Sequence, residues 1–225
     1  MEQEYVIELN NVCLAYEDNV ALRFINLKVK KGECIVVQGP NGCGKSTLMK
    51  LLNGLIFADE GEYLFNGSVV DKKKLKDQKF SKKFHKALGY VFQNSDIQLF
   101  CQSVWDEVAF APRQMNLSEE EVGKRTADVI ELLGISKLKD RAPYHLSGGE
   151  KRKVALASVL SVNPDVLVMD EPFAGLDSGS EKWLTQFLLE LKDAGKTLVI
   201  STHNDQLAET VADRIIRMND DHEII

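Results

Sequence analysis

The segment Gly39-Pro40-Asn41-Gly42-Cys43-Gly44-Lys45-Ser46-Thr47 constrains the fold of this chain most, because it fits G-x-x-x-x-G-K-[ST] in a telling context. Before it stands Cys34-Ile35-Val36-Val37, apolar throughout, as expected of a strand buried on both faces. After it, Thr47 to Leu55 carries helical apolar spacing. In a strand–loop–helix unit of this kind, glycines let backbone N–H groups turn inward around phosphate oxygens at the positive end of the helix. Lys45 then reaches the β- and γ-phosphates, and the Ser46 hydroxyl is placed to ligate Mg²⁺. Cys43 sets a thiol among the same amides, so a lowered pKa and a reactive thiolate are expected in the nucleotide-free loop.

A second strand, Val166-Leu167-Val168-Met169, ends in the acids Asp170-Glu171. Such an ending holds Asp170 near the metal and leaves Glu171 to polarise an attacking water. With the phosphate loop it defines a nucleoside-triphosphate site. Leu198-Val199-Ile200 and Leu88-Gly89-Tyr90-Val91-Phe92 are further buried-strand candidates, so a mainly parallel sheet is expected. Tyr5-Val6-Ile7-Glu8-Leu9 and Leu27-Lys28-Val29-Lys30 alternate as half-exposed strands, and Glu62 to Val70 reads as a hairpin turning at Asn66-Gly67. Ser118-Glu119-Glu120-Glu121 fits a capping box for a helix that Gly134 stops, and a helix from Glu181 to Asp193 closes at Gly195.

Leu146-Ser147-Gly148-Gly149-Glu150 separates this chain from other phosphate-loop enzymes. Ser147 and Glu150 form a capping box, and Gly148-Gly149 expose helix-start N–H groups suited to a γ-phosphate. The segment resembles the signature of ATP-binding-cassette (ABC) transporter ATPases, and the other family positions follow in order. The resemblance implies an α/β fold: a P-loop NTPase (RecA-like) core with a mainly parallel sheet, an antiparallel β subdomain and an inserted helical subdomain. It implies one domain over residues 1–225, with core and β subdomain at 1–94 and 162–225 and the signature-bearing helical subdomain at 95–161. ATP and Mg²⁺ are the implied cofactors. Gly39 to Thr47 hold the nucleotide, Tyr16 stacks on adenine, and Ser46, Gln93 and Asp170 attend the metal. Glu171, His203 and Gln93 are the catalytic set, and Gly175-Leu176-Asp177 resembles the loop that crosses to a second subunit. Ser147, Gly148, Gly149 and Glu150 act on the nucleotide of that second ATPase subunit, identical or not, so a monomer hydrolyses slowly.

Gln93-Asn94-Ser95-Asp96-Ile97-Gln98-Leu99-Phe100 is similar to the corresponding segment of energy-coupling-factor transporters, importers of vitamins and of cobalt or nickel. This resemblance implies integral membrane subunits as partners, with Gln98, Leu99 and Phe100 facing them, at the cytoplasmic face of the membrane. A single cassette without heptads argues against the ribosome- and chromosome-acting branches of the family. A net charge of −6 argues against nucleic acid as a partner. No apolar run approaches the ~20 residues of a membrane span, and Met1 to Tyr5 do not read as a secretion signal. Four cysteines without paired spacing read as free thiols, and the lysine-rich stretch 72–83 reads as a solvated face.

Overall fold

The computed structural model describes residues 4–17 and 19–225; Met1–Gln3, part of the segment tested for a secretion signal, lie outside the described residues. Strands β1 (Tyr5–Tyr16) and β2 (Asn19–Lys30) form a long antiparallel pair, to which β4 (Glu60–Phe65) and the short β5 (Ser68–Val69) add in the order β2-β1-β4-β5. The β4–β5 turn uses Asn66 and Gly67, at φ 47° and 68°, the left-handed pair a two-residue hairpin needs. The second sheet is wholly parallel, in the order β6 (Leu88–Val91), β7 (Val166–Met169), β8 (Thr197–Ser201), β3 (Cys34–Gln38), β9 (Arg214–Arg217).

Both faces of this parallel sheet are covered, which is why its strands are apolar without alternation. Along β3, Ile35 and Val37 pack toward the antiparallel sheet and helix α1 (Lys45–Leu52), together with Phe84 of α2 (Gln78–Ala87). Cys34 and Val36 face the other way, into a core shared with helices α4 (Val104–Gln114), α5 (Glu119–Leu132), α6 (Gly148–Leu160), α7 (Ser178–Asp193) and α8 (Asp205–Val211). A one-turn helix, α3 (Ser95–Gln98), follows β6 and opens the helical run between β6 and β7. All four cysteines are free, and among the described residues no helix is long and apolar enough to cross a membrane.

Several elements depart from the sequence expectation for local reasons. Strands β1 and β2 run far beyond Tyr5–Leu9 and Leu27–Lys30 because paired irregularities hide their alternation. Asn11 and Phe24 take φ 49° and 46°, and the Asn26 side chain bridges them by bonding Asn11 and the Phe24 carbonyl. Helix α1 spans Lys45–Leu52 rather than Thr47–Leu55. It stops where Gly54 (φ 68°) lets Leu55 N bond Lys50 O and Gly54 N bond Leu51 O. Ser118 caps α5 through Glu121 N, yet the reciprocal half of the box is absent, because the Glu121 carboxylate bonds Arg125 instead. Helix α7 begins three residues before Glu181, capped by Asp177. The lysine-rich stretch is in part helical, with α2 turning Phe84 inward and its lysines out.

Candidate functional site

In the parallel sheet, β7, β8 and β3 are neighbours pointing the same way, so everything at their carboxyl ends converges. From β3 comes the loop Gly39–Gly44. Gly44 caps α1 at φ 106°, where a Cβ would run into the Ala21 carbonyl, so the loop cannot keep this turn with another residue. The Lys45 ammonium is folded back into the loop, donating to Gly39 O (2.8 Å) and Pro40 O (2.9 Å). An ammonium has three N–H donors, so one remains for a phosphate oxygen.

Strand β7 delivers Asp170 and Glu171. Glu171 sits at φ 44°, a left-handed conformation costing a non-glycine residue on the order of 1–3 kcal/mol, of the sort that gathers at functional sites. Ser201, at the end of β8, fixes the pair: its hydroxyl accepts from Glu171 N (2.8 Å) and donates to Asp170 Oδ1 (2.7 Å). His203 follows two residues later, with Nδ1 3.1 Å from Glu171 Oε2.

These groups enclose a pocket of about 430 Å³, lined by Asn41, Gly42, Gly44, Lys45, Ser46, Thr47, Gln93, Glu171 and His203. Residues from four separate stretches of sequence thus meet at one cavity. Asp170 lies behind its wall, buried and bonded to Ser201. Gly39 and Pro40 face Lys45 with their carbonyls. The donor set fits Mg²⁺: a hydroxyl and an amide oxygen line the cavity with a carboxylate behind. Among the described residues no cluster of three acidic, His or Cys side chains could hold a metal unaided. Mg²⁺ customarily takes one or two protein oxygens and completes its shell with phosphates and water.

Two expectations fare differently. Cys43 is buried, packed into the core beneath Gly39, where a Cβ on that glycine would collide with its sulfur. The sulfur is therefore packed away from solvent rather than open to it as the sequence suggested. Tyr16 lies at the exposed end of β1, opposite Asn19, and does not line the cavity.

The signature lies outside the pocket as well. Ser147 and Glu150 make the full capping box: Ser147 N and Oγ each donate to Glu150 Oε2 at 2.8 Å, and Ser147 Oγ accepts from Glu150 N. The Ser147 donors hold the Glu150 carboxyl below the usual glutamate range. Gly148 borders a different cleft, with Gln93 and Gly175-Leu176. Asp177 caps α7, and the Ser180 N and Ser180 Oγ donors, with Gly179 N, keep its carboxyl below the ordinary range. Ser201 and Arg152 brace the site, although the sequence alone assigns neither a role; a hydroxyl directly after the apolar run Leu198–Ile200 is the available signal for Ser201.

A glycine loop at a helix start after β3, a histidine after the neighbouring strand β8 and an acid pair at the end of β7 beyond it define a P-loop nucleoside-triphosphatase. Residues 22–174, more than half of the chain, match the family described as ABC transporter. The nickel import ATP-binding protein LarO of Lactiplantibacillus plantarum is 43% identical over 219 residues, covering 97% of this chain and 91% of that protein. The energy-coupling factor transporter ATP-binding protein EcfA of Methanothermobacter thermautotrophicus is 43% identical over 215 residues, covering 95% and 68% respectively. Among solved structures, the ATP-binding cassette MJ0796, described as a dimer in a post-hydrolysis state with ADP and Pi, aligns with a TM-score of 0.87. Its identity is 29%, with 97% of this chain and 96% of that one covered. The chain belongs to the ABC transporter family and is an ATP-binding, ATP-hydrolysing subunit of a transporter.

Proposed function

We propose that this chain powers an importer of the energy-coupling-factor type, two ATPase subunits closing around ATP beneath separate membrane subunits. The observation that carries the dimer is that the signature lies off its own phosphate pocket. The N–H groups of Gly148 and Gly149 have no partner among the described residues, while no residue of 147–150 lines the cavity. A helix start with free N–H donors is suited to receive an anion. A second subunit's γ-phosphate supplies it, and the symmetric arrangement gives two composite sites at one interface. Helices α3 to α6, within residues 95–161, form the subdomain that carries the signature.

At each site the amides of the loop and Lys45 bind the β- and γ-phosphates. Ser46 and Gln93 would hold Mg²⁺, with Asp170 behind them, and the ion would supply charge neutralisation at the phosphates. Glu171 accepts the proton of the attacking water, and His203, hydrogen-bonded to that carboxylate, orients it toward the γ-phosphate. Tyr16 keeps its assignment to adenine, and its exposure leaves it free for stacking. Product release then opens the dimer.

A membrane-subunit helix fits the cleft of about 420 Å³ between the Gln93 segment and the helices, where Phe100 and Phe110 stand exposed and meet edge to face at 5.0 Å. Glu107 shapes this rim by accepting from Phe100 N and Cys101 N. Such docking puts the subunit at the cytoplasmic face of the membrane. The cargo is a metal ion of the cobalt–nickel kind or a vitamin, and the nickel-import relative favours the metal. Uptake of labelled Co²⁺, Ni²⁺ and biotin by the reconstituted transporter decides among them.

Complementation tests the composite site. Lys45→Ala and Ser147→Arg each abolish turnover, the first by losing ATP and the second by blocking the partner's nucleotide. A mixed dimer collects both lesions at one site and leaves the other intact. Random pairing of equal amounts makes half the dimers mixed, so up to about a quarter of wild-type activity returns. No recovery, with mixed dimers shown to form, would refute the division of the site.

A further inference from the structure

Arg152 lies on α6, five residues after Ser147, and is 3% exposed. Its two terminal nitrogens donate to backbone oxygens across the fold: Nη1 to Phe92 O at 2.7 Å and Nη2 to Gln93 O at 2.8 Å. The same stretch is tied to α6 twice more. Gln98 accepts from Phe92 N (3.2 Å) while its amide nitrogen donates to Ala155 O (2.8 Å) and Ser158 Oγ (3.1 Å). Lys151 pairs with Asp96 at 2.6 Å.

Stability alone is a poor reason for this arginine. It makes no ion pair among the described residues, its Nε has no partner, and burial pushes its pKa down. A buried cation answered only by carbonyls is costly, and a neutral side chain of similar length would fill the space at less expense. What the guanidinium adds is geometry: a rigid planar fork that grips two successive carbonyls at once.

The two ends of this grip serve different nucleotides. Gln93 lines the phosphate pocket of its own subunit, whereas Ser147 to Gly149, on the reading proposed above, engage the nucleotide of the other. We propose that Arg152 is a positioning residue that couples the signature helix to Gln93, so that engagement of one composite site sets the Gln93 geometry at the other. When the start of α6 seats on the partner's phosphate, Arg152 carries the Phe92–Gln93 backbone with it. Without the fork, nucleotide still binds, but Gln93 is no longer held in register with closure.

The test is a double-mutant cycle in the full chain with Mg-ATP, using Arg152→Met, Arg152→Lys, Gln93→Ala and the Gln93→Ala/Arg152→Met double variant. Turnover, fluorescent-nucleotide affinity and Tm are measured on each. Arg152→Met is expected to lower turnover about ten- to a hundredfold, the scale of a misplaced reacting group, with affinity within roughly twofold. The double variant should be no slower than the slower single variant, because the arginine acts only through Gln93. Arg152→Lys, with one ammonium for two carbonyls, should recover part of the loss. Should Arg152→Met fail to fold, Arg152→Lys carries the same cycle. Losses that multiply, or a turnover loss matched by equal loss of affinity, overturn the coupling role and make Arg152 a packing residue. Wild-type turnover in Gln93→Ala overturns the assignment of Gln93 itself, a result separable from the cycle.

Discussion

Glu171→Gln separates chemistry from architecture at this site. Glutamine keeps the volume and the amide backbone, and the left-handed φ of 44° costs either residue the same, so the strain and the Glu171 N to Ser201 Oγ bond are untouched. Two things go: the proton acceptor and one of two adjacent buried carboxylates, Asp170 being 4% and Glu171 8% exposed. Loss of a general base typically costs 10²- to 10⁴-fold, which at about 1.36 kcal/mol per decade is roughly 2.7–5.4 kcal/mol of transition-state stabilisation. Stability moves the other way. Neutralising one of two neighbouring buried acids removes like-charge repulsion and a desolvation cost, so Tm should hold or rise. His203 loses a charged partner but is largely solvated, with 71% of its side chain exposed, so it adds little to the balance. For the same electrostatic reason ATP affinity should not fall, and Mg-ATP should trap a dimer visible by gel filtration. Phosphate release, calorimetry and gel filtration read the three outcomes. Turnover within about threefold of wild type would remove Glu171 from the base role; lost turnover with a Tm lowered by several degrees would make its role structural.

Two further predictions rest on particular side chains. Phe100→Ser or Phe110→Ser should leave basal hydrolysis within about twofold yet weaken co-purification with the membrane subunits roughly thirtyfold, the scale of one aromatic anchor; unchanged co-purification would move the docking surface elsewhere. Gln98 and Leu99 are unsuitable probes of that contact, since Gln98 bonds α6 and Leu99 packs against the helical core. Maleimide at neutral pH should spare Cys43 in the native protein and leave hydrolysis intact, because the thiol is buried; inactivation that Mg-ATP prevents would restore the reactive-thiolate reading. Cys101, pushed up to about 11 by burial and by Glu107, should label appreciably only as pH approaches that value.

The sequence disclosed this site where the chemistry is local. Gly39 to Thr47 carry their structure in their own spacing, since the glycines, the lysine and the helix start act within a few residues of one another. Ser147 and Glu150 do the same, which is why the capping box could be written down before the fold. Sequence pattern falls short where conformation is set by a distant partner. Strand β9, read as Arg-Ile-Ile-Arg, is an edge strand whose charged ends reach solvent, so it shows neither a buried run nor clean alternation. Asn11 and Phe24 break the period-2 pattern in two strands at once, and only their meeting across the pair explains both.

Arg152 and Cys43 show the limit from opposite sides. In Lys151-Arg152-Lys153 an arginine reads as one more solvated charge, yet helical geometry sends its neighbours to Asp96 and over Trp183 while Arg152 turns inward to carbonyls some 60 residues away. In the phosphate loop a cysteine reads as part of the anion site, yet this side chain is packed into the core against Gly39. Side-chain direction follows backbone conformation, which residue type alone does not reveal at either position. A polar group buried against distant carbonyls therefore reports a constraint that local patterning does not encode, and here the constraint ties helix α6 to the Gln93 segment.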